Sequence, residues 1–388
     1  MDRWDQSCPY FHVLTIQNMQ YFVPLMANPI FKYMNDILLY PQLATNYLAH
    51  AFQHTTASYK FYWFLSIIKL YAEEHETCFY TTDVFIRMVA KAWAPLQYYH
   101  LSFGKMDSLK KIISEILKHK RLRDDSSEEE IVNALQGWEE TPKITKLLGE
   151  NVPFRFLQPW LRSSSNTVIA KLSVNFANDC FYSLTKDSKG WIVQLNPLWC
   201  EYIRENQSIL KDFAQWHLSR FIQGNNPTVP FITSKLTLPK RSQFSKDTKL
   251  FWDNYRQSID NPTCLITHQS IEKNFTVSHF LPWSLLPKEV NWNLMITNGD
   301  LELKKGNRLL NFNKYVDAFC HEQQMALRIN LNAGMSDSSP VIDNYKLLGS
   351  SPAEMATMSH AKFRCAMCRT LVPMNQIALN MGYKEWCV

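Results

Sequence analysis

The feature that most constrains the fold of this chain is a segment, residues 58–71, that is apolar on nearly every side. Its apolar side chains are Tyr59, Phe61, Tyr62, Trp63, Phe64, Leu65, Ile67 and Ile68. A helix that is apolar all round has to be buried by other elements. It is also too short to cross a bilayer, which takes about 20 apolar residues. We therefore predict a central buried helix, with Trp63 and Phe64 inaccessible to solvent.

Other segments have the spacing of amphipathic helices. Residues 108–122 place apolar side chains three and four positions apart, with basic side chains on the opposite face. An acidic run, residues 124–130, is suited to cap a helix predicted for residues 131–138. Longer patterns predict a helix over residues 198–222 and a packing helix over residues 373–386.

A small β component is predicted beside these helices. Residues 168–174, 181–184 and 190–195 are short, rich in β-prone side chains and separated by turn residues. Only 10 glycines occur in 388 residues, which argues against a sandwich or a barrel with many tight turns. We therefore predict a mainly α protein of several domains, with α+β parts.

The charge of the chain is compatible with a polyanionic partner. The formal net charge is +6 and the pI is near 8.7. Residues 228–250 look like an extended basic linker, in which Lys240 and Arg241 are candidates for phosphate contacts. The sequence has no glycine-rich loop of the kinds that bind nucleotide phosphates.

The cysteines and the N-terminus favour a reducing, cytoplasmic setting. Nine cysteines at irregular spacing do not resemble a secreted disulfide framework, and no signal peptide is visible. Cys365 and Cys368 could form a zinc site with Cys264, His268 or Cys387. Only one close cysteine pair exists, however, and buried free thiols are the preferred interpretation.

Chemically informative residues concentrate between positions 264 and 310. Residues 275–281 alternate in a β-prone pattern, and residues from 301 onward suit a short helix. If residues 262–266 supply a first strand, the segment forms two strands followed by a helix. His279 is then expected at the end of the second strand.

This segment resembles the HNH, or ββα-metal, endonuclease family. His279 matches the histidine that acts as general base, and Asn293 matches the asparagine that stabilises the loop. Lys305 matches the lysine that follows the third motif residue. The string His-Phe-Leu-Pro-Trp-Ser, residues 279–284, is similar to one subgroup of bacterial HNH proteins that have a large helical N-terminal region.

The resemblance implies hydrolysis of DNA phosphodiester bonds with Mg²⁺ or Mn²⁺, in restriction or in defence against foreign DNA. Such cleavage needs a base that activates water and a cation that stabilises charge on the phosphate. Lys305 and Arg308 would contact phosphate together with Lys240 and Arg241.

Two positions depart from the family pattern. Ser278 stands where the family has a metal-binding Asp, and Glu302 stands where it has Asn or His. Ser278, Asp300 and Glu302 are therefore the candidate metal ligands, with the two carboxylates as substitutes for the missing Asp. The alternative is a catalytically degenerate module that binds nucleic acid or serves as a protein-interaction scaffold, with a partner protein or a second copy of the chain.

These observations divide the chain into five parts. They are a helical domain (1–150), a hairpin-plus-helix element (151–227), the basic linker (228–250), the HNH-like module (251–325) and a C-terminal helical segment (326–388).

Overall fold

The computed structural model describes residues 43, 45–53, 55–239, 243–271, 275–299 and 301–387. The fold is mainly helical, with two small antiparallel sheets. Its buried apolar side chains form two cores, one from residues 43–236 and the other from residues 251–383. Residues on both sides of position 150 contribute to the first core, and residues on both sides of position 325 contribute to the second.

The first core is built from ten helices and three strands of the described chain. The helices are α1 (Asn46–Ala51), α2 (Tyr59–Glu74), α3 (Thr81–Trp93, continued by a π-helical turn, Ala94–Tyr98), α4 (Leu109–His119), α5 (Glu128–Leu135), α6 (Thr141–Ile144), α7 (Lys146–Gly149), α8 (Val152–Leu161), α9 (Asn166–Ser173) and α10 (Pro197–Asn225). The strands are β1 (Cys78–Tyr80), β2 (Tyr182–Lys186) and β3 (Trp191–Leu195), in the order β1-β3-β2.

Helix α2 is the buried central helix that the sequence predicts. Trp63 and Phe64 are both 0% exposed, which confirms the prediction. Helices α3, α8 and α10 pack against it, and Phe52, which follows α1, packs on Phe61 and Phe64. The one polar atom of the Trp63 ring is satisfied, because its Nε1–H donates to the Tyr182 hydroxyl at 3.0 Å. That hydroxyl in turn donates to the carbonyl of Pro153 at 2.5 Å.

The amphipathic segment 108–122 forms α4, and its apolar face is buried as predicted. The acidic run caps α5 through a capping box: Ser127 Oγ accepts from the Glu130 amide, and the Glu130 carboxylate accepts from the Ser127 amide. The helix predicted over residues 198–222 is α10.

Two β predictions are confirmed and one is wrong. Strands β2 and β3 form the predicted hairpin. Residues 168–173 lie in helix α9 rather than in a strand, and Val174 is the C-cap residue of this helix. Ser165 Oγ accepts from the Val168 amide and caps the start of the helix. The third strand, β1, pairs with β3 and was not predicted.

The second core contains the remaining elements. They are α11 (Lys246–Ser258), β4 (Phe275–His279), β5 (Leu294–Asn298), α12 (Leu301–Lys305), α13 (Phe312–Asn332), α14 (Pro340–Asp343), α15 (Pro352–Thr357) and α16 (His360–Met381), with a 3-10 helix at Asn344–Leu348. Helix α13 packs against α11, α15 and α16. Cys365 and Cys368 both lie within α16, which begins earlier than the predicted helix over residues 373–386.

The predicted basic linker is partly structured. Ile232–Lys235 forms a 3-10 helix, and α11 begins at Lys246. Lys235 is 0% exposed, so it is not available to contact phosphate as a linker cation. Lys240 and Arg241 lie outside the described residues. Among the described helices, none is long and apolar enough to cross a membrane.

The burial of α2 predicts a large cost for truncating it. Replacing Phe64 with Ala removes a fully buried ring and should lower the free energy of unfolding by about 3–5 kcal/mol. Leu347→Ala is the control, because Leu347 is 63% exposed and its loss should have little effect. Urea unfolding of the two variants measures the difference. Equal losses would contradict the central position of α2.

Candidate functional site

The site-bearing hairpin is formed by β4 and β5, which pair antiparallel with His279 opposite Leu294. This corrects the predicted strand order, because β4 is the first strand of the hairpin and His279 ends that first strand. Residues 262–266 are not its partner. Residues 262–264 pair instead with residues 269–271 across a short turn: Thr263 forms an isolated antiparallel bridge with Ser270, the Cys264 amide donates to Gln269, and the Ile271 amide donates to Pro262. These bonds use backbone groups that a strand beside β4 would need.

Asn293 closes the loop between the two strands. Its Oδ1 accepts from the Leu281 amide at 2.8 Å, and its Nδ2 donates to the Leu281 carbonyl at 3.0 Å. The Phe280 amide donates to the backbone carbonyl of Asn293 at 2.8 Å. The side chain thereby continues the pairing pattern of the hairpin beyond its last strand residue. Because Asn293 is 0% exposed, water does not compete for these bonds.

His279 lies beside this closed loop, between two aromatic rings. Its imidazole is 5.6 Å from the Phe244 ring and 5.3 Å from the Trp283 ring, measured between centroids. The residue is 7% exposed. The two rings therefore pack against an imidazole that is nearly buried.

Ser278 has a different environment from its neighbour. It is 0% exposed and lies opposite Met295 in the hairpin. Successive side chains of a strand point to opposite faces, so Ser278 and His279 leave opposite faces of the hairpin. A neutral, fully buried hydroxyl is a poor ligand for a hard cation.

Helix α12 is the short helix that the sequence predicts from residue 301 onward. It follows β5 and packs against both strands of the hairpin. Lys305, at its end, is 1% exposed, which differs from the phosphate-facing position expected for it. Arg308 is exposed, and it donates to the carbonyls of Lys304 and Lys305 at the end of α12. Its guanidinium also lies 5.8 Å from the ring of Trp386. Of these two cations, Arg308 is the one that faces solvent.

The predicted carboxylate ligands are not placed by the described residues. Asp300 lies outside them, and only the backbone of Glu302, within α12, is described. Within the described part of the chain, no group of three or more His, Cys, Asp or Glu side chains is arranged to hold a metal ion. An imidazole and a buried hydroxyl alone do not fit a divalent cation, so a metal here would need the carboxylates of Asp300 and Glu302.

A buried polar network supports the loop from helix α13. Gln323 Nε2 donates to the carbonyls of Asn291, at 3.0 Å, and Leu294. Its Oε1 accepts from the Tyr345 hydroxyl. Trp252 Nε1–H donates to Asn291 Oδ1 at 3.0 Å. Sequence reasoning missed this network, because a single glutamine within a helical pattern gives no signal of its partners.

Glu322 is a second buried polar residue on α13. Its Oε1 accepts from the amide of Ile296 in β5 at 3.0 Å. Burial raises the pKa of the Glu322 carboxyl from 4.5 to about 8, against the opposing effect of this hydrogen bond. At pH 7 the Glu322 carboxyl is therefore mainly neutral, and in this form it accepts the hydrogen bond from Ile296 of β5.

Lys235 connects the loop of the site with the first core. Its Nζ donates to the carbonyls of Pro230 and Leu285, each at 2.8 Å, and Leu285 belongs to the loop that Asn293 closes. Burial lowers the pKa of Lys235 from 10.5 to about 7. Within the second core, the hydroxyl of Tyr383 donates to Ser284 Oγ of the same loop at 2.9 Å.

No family model, curated protein or solved structure matches this chain. The geometry around the hairpin is therefore the basis of the functional assignment.

The role of Asn293 predicts a local effect of its removal. Asn293→Ala leaves the buried amide and carbonyl of Leu281 without their partners, which should cost about 2–5 kcal/mol of stability. Hydrogen exchange should accelerate in the peptide that covers residues 280–286. Asn298→Ala is the control, because that side chain makes one exposed hydrogen bond. Unchanged exchange in Asn293→Ala would show that other contacts hold the loop.

The raised pKa of Glu322 predicts a pH window in stability. The folded state binds the Glu322 proton more tightly than the unfolded chain does. The stability that this protonated carboxyl contributes is therefore fully present below pH 4.5 and is lost as the pH rises through about 8. Relative to Glu322→Gln, which stays neutral, the native protein should lose stability between pH 5 and 8. The difference in the free energy of unfolding between the native protein and the variant should change by at most about 1.4 kcal/mol per pH unit. Urea unfolding at several pH values measures it, and parallel curves would contradict the assignment.

Proposed function

We propose that this chain is an HNH-like endonuclease that hydrolyses DNA phosphodiester bonds with the help of a divalent metal. The observation that supports the proposal is the order of the elements around His279. The histidine ends a strand, the Asn293 side chain closes the following loop by two hydrogen bonds to Leu281, and a second strand and a short helix come next. This is the arrangement in which the family places its general base and its loop-fixing asparagine.

In the proposed reaction His279 accepts a proton from the attacking water. Imidazole is the side chain that most often serves as a general base, provided that its geometry is fixed. Here the rings of Phe244 and Trp283 hold it on two sides. Asn293 acts through the loop, since it holds the backbone beside His279 and does not itself touch the reacting atoms.

A bound Mg²⁺ or Mn²⁺ would stabilise negative charge on the phosphate and on the leaving oxygen. We assign Asp300 and Glu302 as its carboxylate ligands, in place of the Asp that the family has at Ser278. Arg308, Lys240 and Arg241 are the proposed phosphate contacts, and Lys305, which is buried at the end of α12, is not among them. The role in restriction or defence, and the cytoplasmic setting, belong to the same proposal.

A second candidate function is supported by the burial of the motif. Ser278 is 0% exposed and His279 only 7% exposed, and neither value suits a site that must admit a scissile phosphate and a hydrated ion. On this alternative the module is catalytically degenerate, and it binds nucleic acid or a partner protein through its outer surface.

Cleavage of supercoiled plasmid with Mg²⁺ or Mn²⁺ tests the two candidates. The native protein should cut, and His279→Ala should reduce the rate by about 10²- to 10⁴-fold, the usual contribution of a general base. Asp300→Asn and Glu302→Gln should each shift the metal concentration needed for half-maximal cleavage upward. His119→Ala and Asp337→Asn, at exposed positions, are the matched controls and should cut as the native protein does.

Cleavage that survives His279→Ala would place the chemistry elsewhere in the chain. If the native protein retards DNA in a gel but does not cut with either metal, the degenerate module is the better assignment.

A further inference from the structure

The first core contains a pocket that is separate from the site-bearing hairpin. It has a volume of about 200 Å³ and is lined by α2, α3, the start of α5, α10 and residues 236–237. Aliphatic side chains such as Leu65, Ile68 and Leu218 form part of its wall. This volume is below the roughly 300–1,000 Å³ of pockets for drug-sized ligands, so a ligand here would be small.

Cations outnumber carboxylates in this pocket. Lys69, Lys91 and Lys211 line it together with Glu73 and Glu128. One oxygen of Glu128 accepts from both Lys69, at 2.9 Å, and Lys91, at 3.1 Å. Lys211 makes no ion pair with the described residues. Burial lowers the pKa of Lys91 despite its pairing with Glu128, so the carboxylate does not fully compensate that charge.

The hydroxyl of Tyr62 gives an independent indication of a ligand. Tyr62 lines the pocket and is 1% exposed, and its ring stacks on Phe103 with centroids 5.8 Å apart. Among the described residues, no group makes a hydrogen bond with its hydroxyl. A buried hydroxyl without a partner is costly and uncommon in folded proteins. An acceptor that enters the pocket would satisfy it.

We propose that this pocket binds a small phosphomonoester of the size of a pentose phosphate. Lysine ammonium groups are compact point charges that suit phosphate oxygens, and the Tyr62 hydroxyl supplies a neutral donor. The amides of Gln207 and Gln215, which also line the pocket, are available to the polar groups of the organic part. The aliphatic wall covers its carbon skeleton. The proposal does not depend on the nuclease assignment, because it uses none of the hairpin residues.

Calorimetric titration of the full chain with ribose 5-phosphate tests the proposal. This ester should bind at millimolar concentration or below, and ribose, which lacks the phosphate, should bind at least about tenfold more weakly. If ribose 5-phosphate does not bind, or if ribose binds as well as the ester, the proposal is overturned. Inorganic phosphate that binds as tightly as the ester would overturn the part of it that assigns an organic ligand.

Two variants locate the binding. Tyr62→Phe removes the unpartnered hydroxyl, so the free protein should be at least as stable as the native one, while the dissociation constant of the ester should rise about three- to tenfold. Lys211→Gln removes an exposed cation of the pocket and should also weaken binding, by about tenfold. Lys171→Gln, an equal change of charge at an exposed position of α9, should have no effect. Unchanged affinity in both pocket variants would overturn the assignment of the site.

Discussion

The burial of α2 on all sides is the constraint on which the first half of the molecule depends. Because almost every face of this helix is apolar, a single partner helix could not keep it from water, and helices from three separate parts of the chain pack against it. Once these helices are in place, the pocket between α2, α3 and α10 follows from their arrangement. The packing also buries the polar atoms of aromatic side chains. Trp63 Nε1–H and the Tyr182 hydroxyl form a hydrogen bond with each other, whereas the Tyr62 hydroxyl has no hydrogen-bond partner among the described residues.

The second half depends instead on buried hydrogen bonds. The loop after β4 is held by the side chains of Asn293, Gln323 and Lys235, which bond to backbone groups 12, 32 and 50 positions away in sequence. Buried polar groups gain little net stability when paired but cost much when a partner is lost. Such a network therefore specifies one loop conformation more strongly than an apolar contact would. That property suits a loop beside a proposed general base.

The elements of the candidate site that depend on residues close together in sequence were predicted, and those that depend on contacts between distant residues were not. The alternation of residues 275–281 indicated β4, and the composition after position 300 indicated α12. The strand partner of β4 was mispredicted, because residues 262–264 have β-prone neighbours but pair with residues 269–271 across a short turn. Residues 168–174 were mispredicted for a similar reason, since one capping side chain, Ser165, outweighed their β propensity.

The sequence by itself determined that the segments 58–71, 108–122 and 198–222 are helical and that the first of these helices is central. Those properties follow from the spacing of apolar side chains and from caps a few residues away. Only the tertiary structure decided that Lys235 is buried and donates to two backbone carbonyls, and that Glu322 is a buried, largely neutral acid. Lys235 meets Leu285 across 50 positions of the chain, and Glu322 meets Ile296 across 26. The environment of such a side chain is set by partners that its own neighbours in sequence do not reveal.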